Sequence, residues 1–174
     1  MKNLIIYKSK TGFTKEYAEM LERRITGEIV EISKLKSKDI VESDNIFYGG
    51  PLRNNVILGL DKFLKHHKQF QEKNVFIFGV GIEPSSDEKR SNVICANGLD
   101  LYHVRLYLLQ GGLDFSKLKF PMKQFLKFGM KSASKKEEIS EELINQRLEN
   151  PINFVNSSNL DRMVDVYRRV IIKK

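Results

Sequence analysis

The chain has no tryptophan and a single cysteine, Cys95. One cysteine excludes an internal disulfide and any cysteine-built metal cluster. Cys95 itself reads as a small packing residue. Histidine is scarce too, and His66, His67 and His103 lack metal-ligand spacing, so no metal site is expected. His66 and His67 would point about 100° apart on a helix and read as surface residues. No apolar run approaches the length that spans a bilayer. Met1-Lys2 opens no signal-peptide core, because Lys8 and Lys10 interrupt after five residues. The expected location is the cytoplasm. No acid-base pair or nucleophilic triad is visible, nor any repeat or low-complexity linker. With 174 residues and 41% hydrophobic content, residues 1–174 read as one domain with a sizeable core.

Acidic residues are also missing, but only locally. Residues 117–136 carry Lys117, Lys119, Lys123, Lys127, Lys131, Lys135 and Lys136 and no acid. The rest of the chain holds 23 basic and 22 acidic side chains, so the net charge of +8 belongs to one segment. A Lys-rich segment attracts phosphates. No recognised nucleic-acid motif accompanies it, and no nucleic-acid partner is expected.

What is present is organised around residues 2–14. Asn3 to Tyr7 reads as a short buried parallel strand. Ser9, Lys10, Thr11, Gly12, Phe13 and Thr14 follow, and then a helical pattern with Tyr17, Ala18, Leu21 and Ile25. Strand, hydroxyl-rich loop and helix start together make an anion site. First-turn amides lack partners, and the helix dipole favours negative charge. The plainer alternative is an ordinary turn with Thr11 or Thr14 as the N-cap. The glycine-lysine pattern of a Walker loop is absent.

Further strands are expected at Glu28–Ile32, Asn45–Gly49, Val75–Val80 and Arg105–Gln110. Lys34–Val41 reads as a loop or short helix. Leu60, Phe63, Leu64 and His67 mark one helix. Asp87–Leu99 reads as another, with Val93, Ile94 and Asn97 inward. Asn159 is expected to cap the last helix, whose buried stripe is Leu160, Met163, Val164, Tyr167, Val170 and Ile171. Strands alternating with helices imply an α/β parallel sheet covered on both faces. Ligands then bind at the carboxyl ends of the strands, here Ser9–Thr14, Gly49–Asn55 and Val80–Asp87. A dinucleotide reading of Gly79-Val80-Gly81 is weak, since Pro84 stands where the third glycine belongs.

Ser-x-Thr-Gly-x-Thr after the first strand resembles the phosphate loop of flavodoxins. The resemblance covers most of the chain. It implies a doubly wound five-stranded sheet of order 2-1-3-4-5 with FMN at the switch between strands 1 and 3, for which flavodoxin is itself the standard example. It also implies that Ser9, Lys10, Thr11, Gly12, Phe13 and Thr14 hold the cofactor phosphate. Pro51, Leu52, Arg53 and Asn54, with Val80, Gly81, Ile82 and Glu83, would border the ring. Arg53 near the pyrimidine edge would tune the reduced, anionic cofactor. Flavodoxin carriers usually sandwich the ring between aromatics of these loops, and this chain has none there.

Residues 112–158 form a basic insertion before the last helix. The stretch Gly111-Gly112-Leu113-Asp114-Phe115-Ser116-Lys117-Leu118-Lys119-Phe120, with Ile82–Arg90, is similar to the menaquinone-dependent protoporphyrinogen dehydrogenases. Those are flavodoxin-like FMN enzymes of haem biosynthesis. The resemblance implies a quinone-linked dehydrogenase. Two alternatives stay open: an electron-transfer flavodoxin with a redox-protein partner, and a basic binding module without flavin. With Pro121 fitting the first helical turn, the pattern is a basic amphipathic helix with Lys119, Lys123, Lys127 and Lys131 along one side. Such a helix can lie on an anionic membrane, which would make the protein peripheral on the inner face of the cell membrane. Equally, its apolar side can pack on the domain and leave the lysines solvated.

Overall fold

The computed structural model describes residues 1–114 and 151–172. Its strands are β1 (Asn3–Tyr7), β2 (Glu28–Glu31), β3 (Asn45–Arg53), β4 (Val56–Ile57), β5 (Asn74–Gly81), β6 (Val104–Gln110), β7 (Gly112–Leu113) and β8 (Ile152–Asn153). The helices are α1 (Phe13–Ile25), α2 (Ser37–Val41), α3 (Leu60–Leu64), α4 (His67–Phe70), α5 (Asp87–Asn97) and α6 (Asp161–Ile172).

Strand side chains alternate between two faces, and here both faces are buried. Ile5, Phe47, Phe76, Phe78 and Val80 point to one side and meet Tyr17 and Leu21 of α1 and Met163 and Tyr167 of α6. Leu4, Ile6, Ile46, Tyr48, Val75 and Ile77 point to the other and meet Ile40, Phe63, Phe70 and Val93. That is why these strands read as continuous apolar runs. Stacked rings add to the packing. Phe47 and Phe76 lie 4.7 Å apart, Phe63 and Phe70 4.6 Å. Such pairs contribute about 0.5–1.5 kcal/mol each beyond burial.

The long strands run parallel in the order β2-β1-β3-β5-β6, the doubly wound arrangement expected, with β4 folded back antiparallel on β3. Register is continuous across the middle: Ile5 opposes Phe47, and Phe47 opposes Phe76. At the amino edge, Asn3, Asn45 and Asn74 sit side by side. The Asn74 amide donates to Asn45 at 2.8 Å, and Asn45 donates to Asn3 at 2.9 Å. Asn3 in turn donates to the Ile25 carbonyl at 2.9 Å, tying β1 to the end of α1. This amide ladder fixes the edge of the sheet opposite the candidate site.

Several expectations are corrected. The segment from Leu60 to His67 is not one helix but two short ones, α3 and α4, separated near His66. His66 is half-buried, its Nδ1 2.9 Å from Gln69 Oε1, while His67 is exposed. Helix α5 ends at Asn97, and Leu99–Leu101 is a separate 3-10 turn. Cys95 is exposed, because Val93 is the only fully buried residue of that helix. Asn159 does not cap the last helix. Asn156 caps a preceding 3-10 turn (Ser157–Leu160), and the Asn159 amide instead donates to the Tyr17 hydroxyl at 2.6 Å. Lys34–Val41 contains a short helix, α2, which is one of the two forms expected there. The lysine-rich helix expected with Pro121 in its first turn, and with Lys119, Lys123, Lys127 and Lys131 along one side, lies outside the described residues.

Candidate functional site

Parallel strands put all their carboxyl ends at one edge, so the connections that follow β1, β3, β5 and β6 meet there. The Lys8 amide donates to Gly49 O at 2.8 Å and carries the β1–β3 ladder one step past the strand. Pro51 stands in register with Val80. The Gly111 amide donates to Gly81 O at 2.6 Å, which brings the end of β6 against the end of β5.

The first connection, residues 8–12, carries the hydroxyls. Gly12 is the N-cap of α1, with φ of 99°, a conformation that glycine takes without strain. Its side-chain position is open, with nothing within 4 Å. Neither Thr11 nor Thr14 is the N-cap, and no side chain caps this helix. Ser9 Oγ accepts from the Gly12 amide at 3.1 Å, which closes the loop and leaves the hydroxyl proton to donate elsewhere. Lys10 is exposed and Thr11 half-exposed. Phe13 turns its ring into the core at 7% exposure, beneath Gly112, so it serves the loop through its backbone. Thr14 sits in the first helical turn and is only 2% exposed. An anion reaching its hydroxyl has to enter the loop rather than rest on it. An uncapped helix start, hydroxyl donors, one lysine and no carboxylate between Ser9 and Thr14 are a donor set that fits a phosphate monoester. The phosphate of FMN is such a group.

The second connection differs from the expected loop. The strand does not stop at Gly49 but continues through Gly50, Pro51 and Leu52 to Arg53. A tight turn at Asn54 and Asn55, with φ of 48° and 64°, then leads into β4. Both turn residues have the positive φ of a type I′ hairpin, where asparagine is favoured. Gly49 is explained by packing rather than by ligand approach. A side chain there would stand 2.1 Å from the Phe78 ring. Arg53 is exposed at the hairpin tip, and among the described residues no carboxylate forms an ion pair with it.

The third connection begins at Gly81. Val80 is 6% exposed and belongs to the core, so its side chain stays inside the sheet. Ile82 is 39% exposed, and Glu83 forms an ion pair with Lys89 of α5. A groove of about 160 Å³ separates hairpin from third loop, lined by Leu52, Asn54, Asn55, Gly81, Ile82, Glu83 and Lys89. No aromatic residue lines it. Among the described residues no three His, Cys, Asp or Glu side chains are placed to hold a metal.

Three contributors escape a reading of the sequence. Phe154 is an exposed aromatic whose amide donates to Gly111 O at 2.8 Å, and the β7–β8 ribbon brings it to this edge. Tyr17 donates to the Gln110 carbonyl and braces α1 against the end of β6. Burial holds its phenol above the usual tyrosine range. Asn97 grips the hairpin from α5. Only the glycine pair 111–112 was a local signal for any of these.

Comparison with known proteins agrees with this geometry. The family model described as flavodoxin domain matches residues 4–140. No curated protein sequence matches the chain at a significant level. Among solved structures, a protein from Bacteroides uniformis assigned as a flavoprotein superposes with a TM-score of 0.51 at 21% identity, covering 72% of this chain and 97% of its own. An archaeal flavodoxin gives 0.48 at 18% identity, over 64% of this chain and 85% of its own. Megasphaera elsdenii flavodoxin gives 0.48 at 18% identity, over 61% and 84%. The superposition at 0.51 speaks for the fold alone, while the family match covers most of the chain and includes the Ser9–Thr14 loop. The chain belongs to the flavodoxin-domain family, and FMN is its cofactor.

Proposed function

We propose that the protein is an FMN-dependent oxidoreductase that dehydrogenates a flat, reduced substrate and delivers the electrons to a quinone, as the menaquinone-dependent protoporphyrinogen dehydrogenases do. One observation carries the reading. The groove between hairpin and third loop is bordered by Leu52, Asn54, Asn55 and Ile82, and among the described residues no aromatic ring lines it. A ring held by aliphatic and polar side chains keeps a face open to a second flat molecule. The position of the insertion supports the same reading. Its ends pair as β7 and β8, Gly112 opposite Asn153, so it leaves and rejoins the domain beside Gly111 at the carboxyl edge.

In this reading Ser9, Thr11 and Thr14 donate to the phosphate, and the first amides of α1 complete its shell. Lys10 adds positive charge. Arg53 supplies a cation at the hairpin tip beside the ring, where it favours the anionic reduced state. Bound FMN supplies the redox chemistry, taking hydrogen from the substrate. Each turnover removes two hydrogens from the substrate and gives two electrons and two protons to the quinone, which becomes a quinol. A lipid quinone is met at a membrane. The lysines 119, 123, 127 and 131 would face anionic headgroups on its inner surface. Among the described residues no helix is long and apolar enough to cross a membrane.

A second reading is an electron-transfer flavodoxin working with a redox protein. It is favoured by the groove lining, where among the described residues the one carboxylate, Glu83, is engaged by Lys89. Steady-state turnover with a porphyrinogen and a menaquinone analogue separates the two. Porphyrin and quinol forming in a ratio of one to three, since the six hydrogens of the porphyrinogen leave in three two-electron turnovers, supports the dehydrogenase. An FMN-loaded protein that exchanges electrons with a redox protein but never oxidises porphyrinogen is a carrier.

A further inference from the structure

We propose that Asn97, the last residue of α5, is a positioning residue that sets the second cofactor loop in place. The inference rests on reading the carboxyl edge as the FMN site. The β3–β4 hairpin has only two register pairs, Leu52 with Ile57 and Arg53 with Val56. A hairpin this short is not stable alone and takes its position from what it leans on. It leans on Asn97. The side-chain amide donates to Asn55 O at 2.8 Å, and the side-chain oxygen accepts from the Ile57 amide at 3.0 Å. The remaining amide proton goes to Val93 O of the same helix at 2.7 Å. A carboxamide supplies two donors and an acceptor together, which this arrangement requires and no other short side chain offers.

The other end of α5 belongs to the third loop. Ser86 caps the helix, accepting from the Lys89 amide at 3.1 Å, and Lys89 pairs with Glu83. Val93, fully buried, fixes the helix against the sheet. One helix therefore holds the third loop near its first turn and the hairpin at its last residue. The groove of about 160 Å³ lies between those two walls. Asn97 does not itself line the groove, and it meets the lining through the Asn55 carbonyl. It acts through the hairpin, by fixing where Leu52, Arg53 and Asn54 stand relative to Gly81, Ile82 and Glu83.

The test compares Asn97→Ala, Asn97→Asp and Phe70→Leu with wild type. Phe70 is a core residue on the same face, remote from the hairpin. Two readouts are needed: FMN affinity by fluorescence quenching, and amide exchange of residues 53–58 in the flavin-free protein. Asn97→Ala is expected to weaken FMN at least tenfold and to speed exchange selectively in the hairpin. Asn97→Asp keeps the acceptor and loses the donors, and is expected to fall between Ala and wild type. Phe70→Leu should lower the melting temperature and leave FMN affinity within twofold. Unchanged FMN affinity in Asn97→Ala overturns the inference, as does an equal loss in Phe70→Leu. If wild type binds no FMN, the cofactor reading fails instead. Hairpin exchange in the flavin-free variants still decides whether Asn97 is the latch.

Discussion

Single side chains carry the proposed phosphate chemistry. Thr11 and Thr14 flank an uncapped helix start, one half-exposed and one almost sealed. A hydroxyl donating to a charged phosphate contributes about 1.5–3 kcal/mol. Thr11→Ala combined with Thr14→Ala should therefore release FMN on dialysis while circular dichroism stays native. Retention of FMN by that variant would move the phosphate elsewhere. Arg53 is the matching test at the ring. With no carboxylate pairing it among the described residues, its charge is available to the cofactor in the proposed reading. Arg53→Ala should lower the two-electron potential, and an unchanged potential removes Arg53 from the ring. The loop proposed to hold the phosphate could be picked out in the sequence because its donors are local: glycine and hydroxyls within six residues. Asn97 was not, because its meaning depends on Asn55 and Ile57, far away in the chain. Cys95 misled for a related reason. Residue type favours burial, but α5 buries only a narrow strip around Val93.

At the scale of elements, the apolar runs of β1, β3 and β5 identified themselves, since both faces of the sheet are covered. Gly49-Gly50-Pro51 reads as the end of a strand, yet β3 runs through it. Gly49 is there to admit the Phe78 ring, a demand set by a neighbouring strand. Helices α3 and α4 looked like one because Leu60, Phe63, Leu64 and His67 keep helical spacing across the break. The return from β3 to α3 is held partly by Tyr48, whose hydroxyl donates to Leu58 O at 2.9 Å. Burial first, and the Asp61 carboxylate second, push this phenol well above its usual value near 10. A group raised in the folded state contributes stability that is complete below the unfolded pKa and lost as pH rises through the folded one. Melting temperature should therefore hold up to about pH 10 and fall above it. Tyr48→Phe should flatten that alkaline fall. A slope identical to wild type would exclude Tyr48 as its source.

For the whole molecule, the sheet separates two jobs. Its amino edge is locked by the Asn3, Asn45 and Asn74 ladder, and its carboxyl edge is left to loops. The insertion joins at the carboxyl edge through β7 and β8, which sequence alone could not place because the pairing unites residues 112 and 153. The proposed membrane contact belongs to this scale. Near an anionic surface each lysine contributes about 1 kcal/mol, so binding should be reversible and salt-sensitive. Wild type should sediment with anionic vesicles at low salt and release at high salt. The variant with Lys119, Lys123, Lys127 and Lys131 all changed to Gln should stay in solution. Wild type ignoring the vesicles at low salt would leave a soluble redox protein as the better acceptor. The central claim, that this edge of the sheet is built around an FMN phosphate, is tested most directly by titrating flavin-free protein with FMN and with riboflavin. Two or more charge-assisted hydrogen bonds predict one FMN per chain, bound at least about 100-fold more tightly than riboflavin. Equal affinity for the two would contradict it.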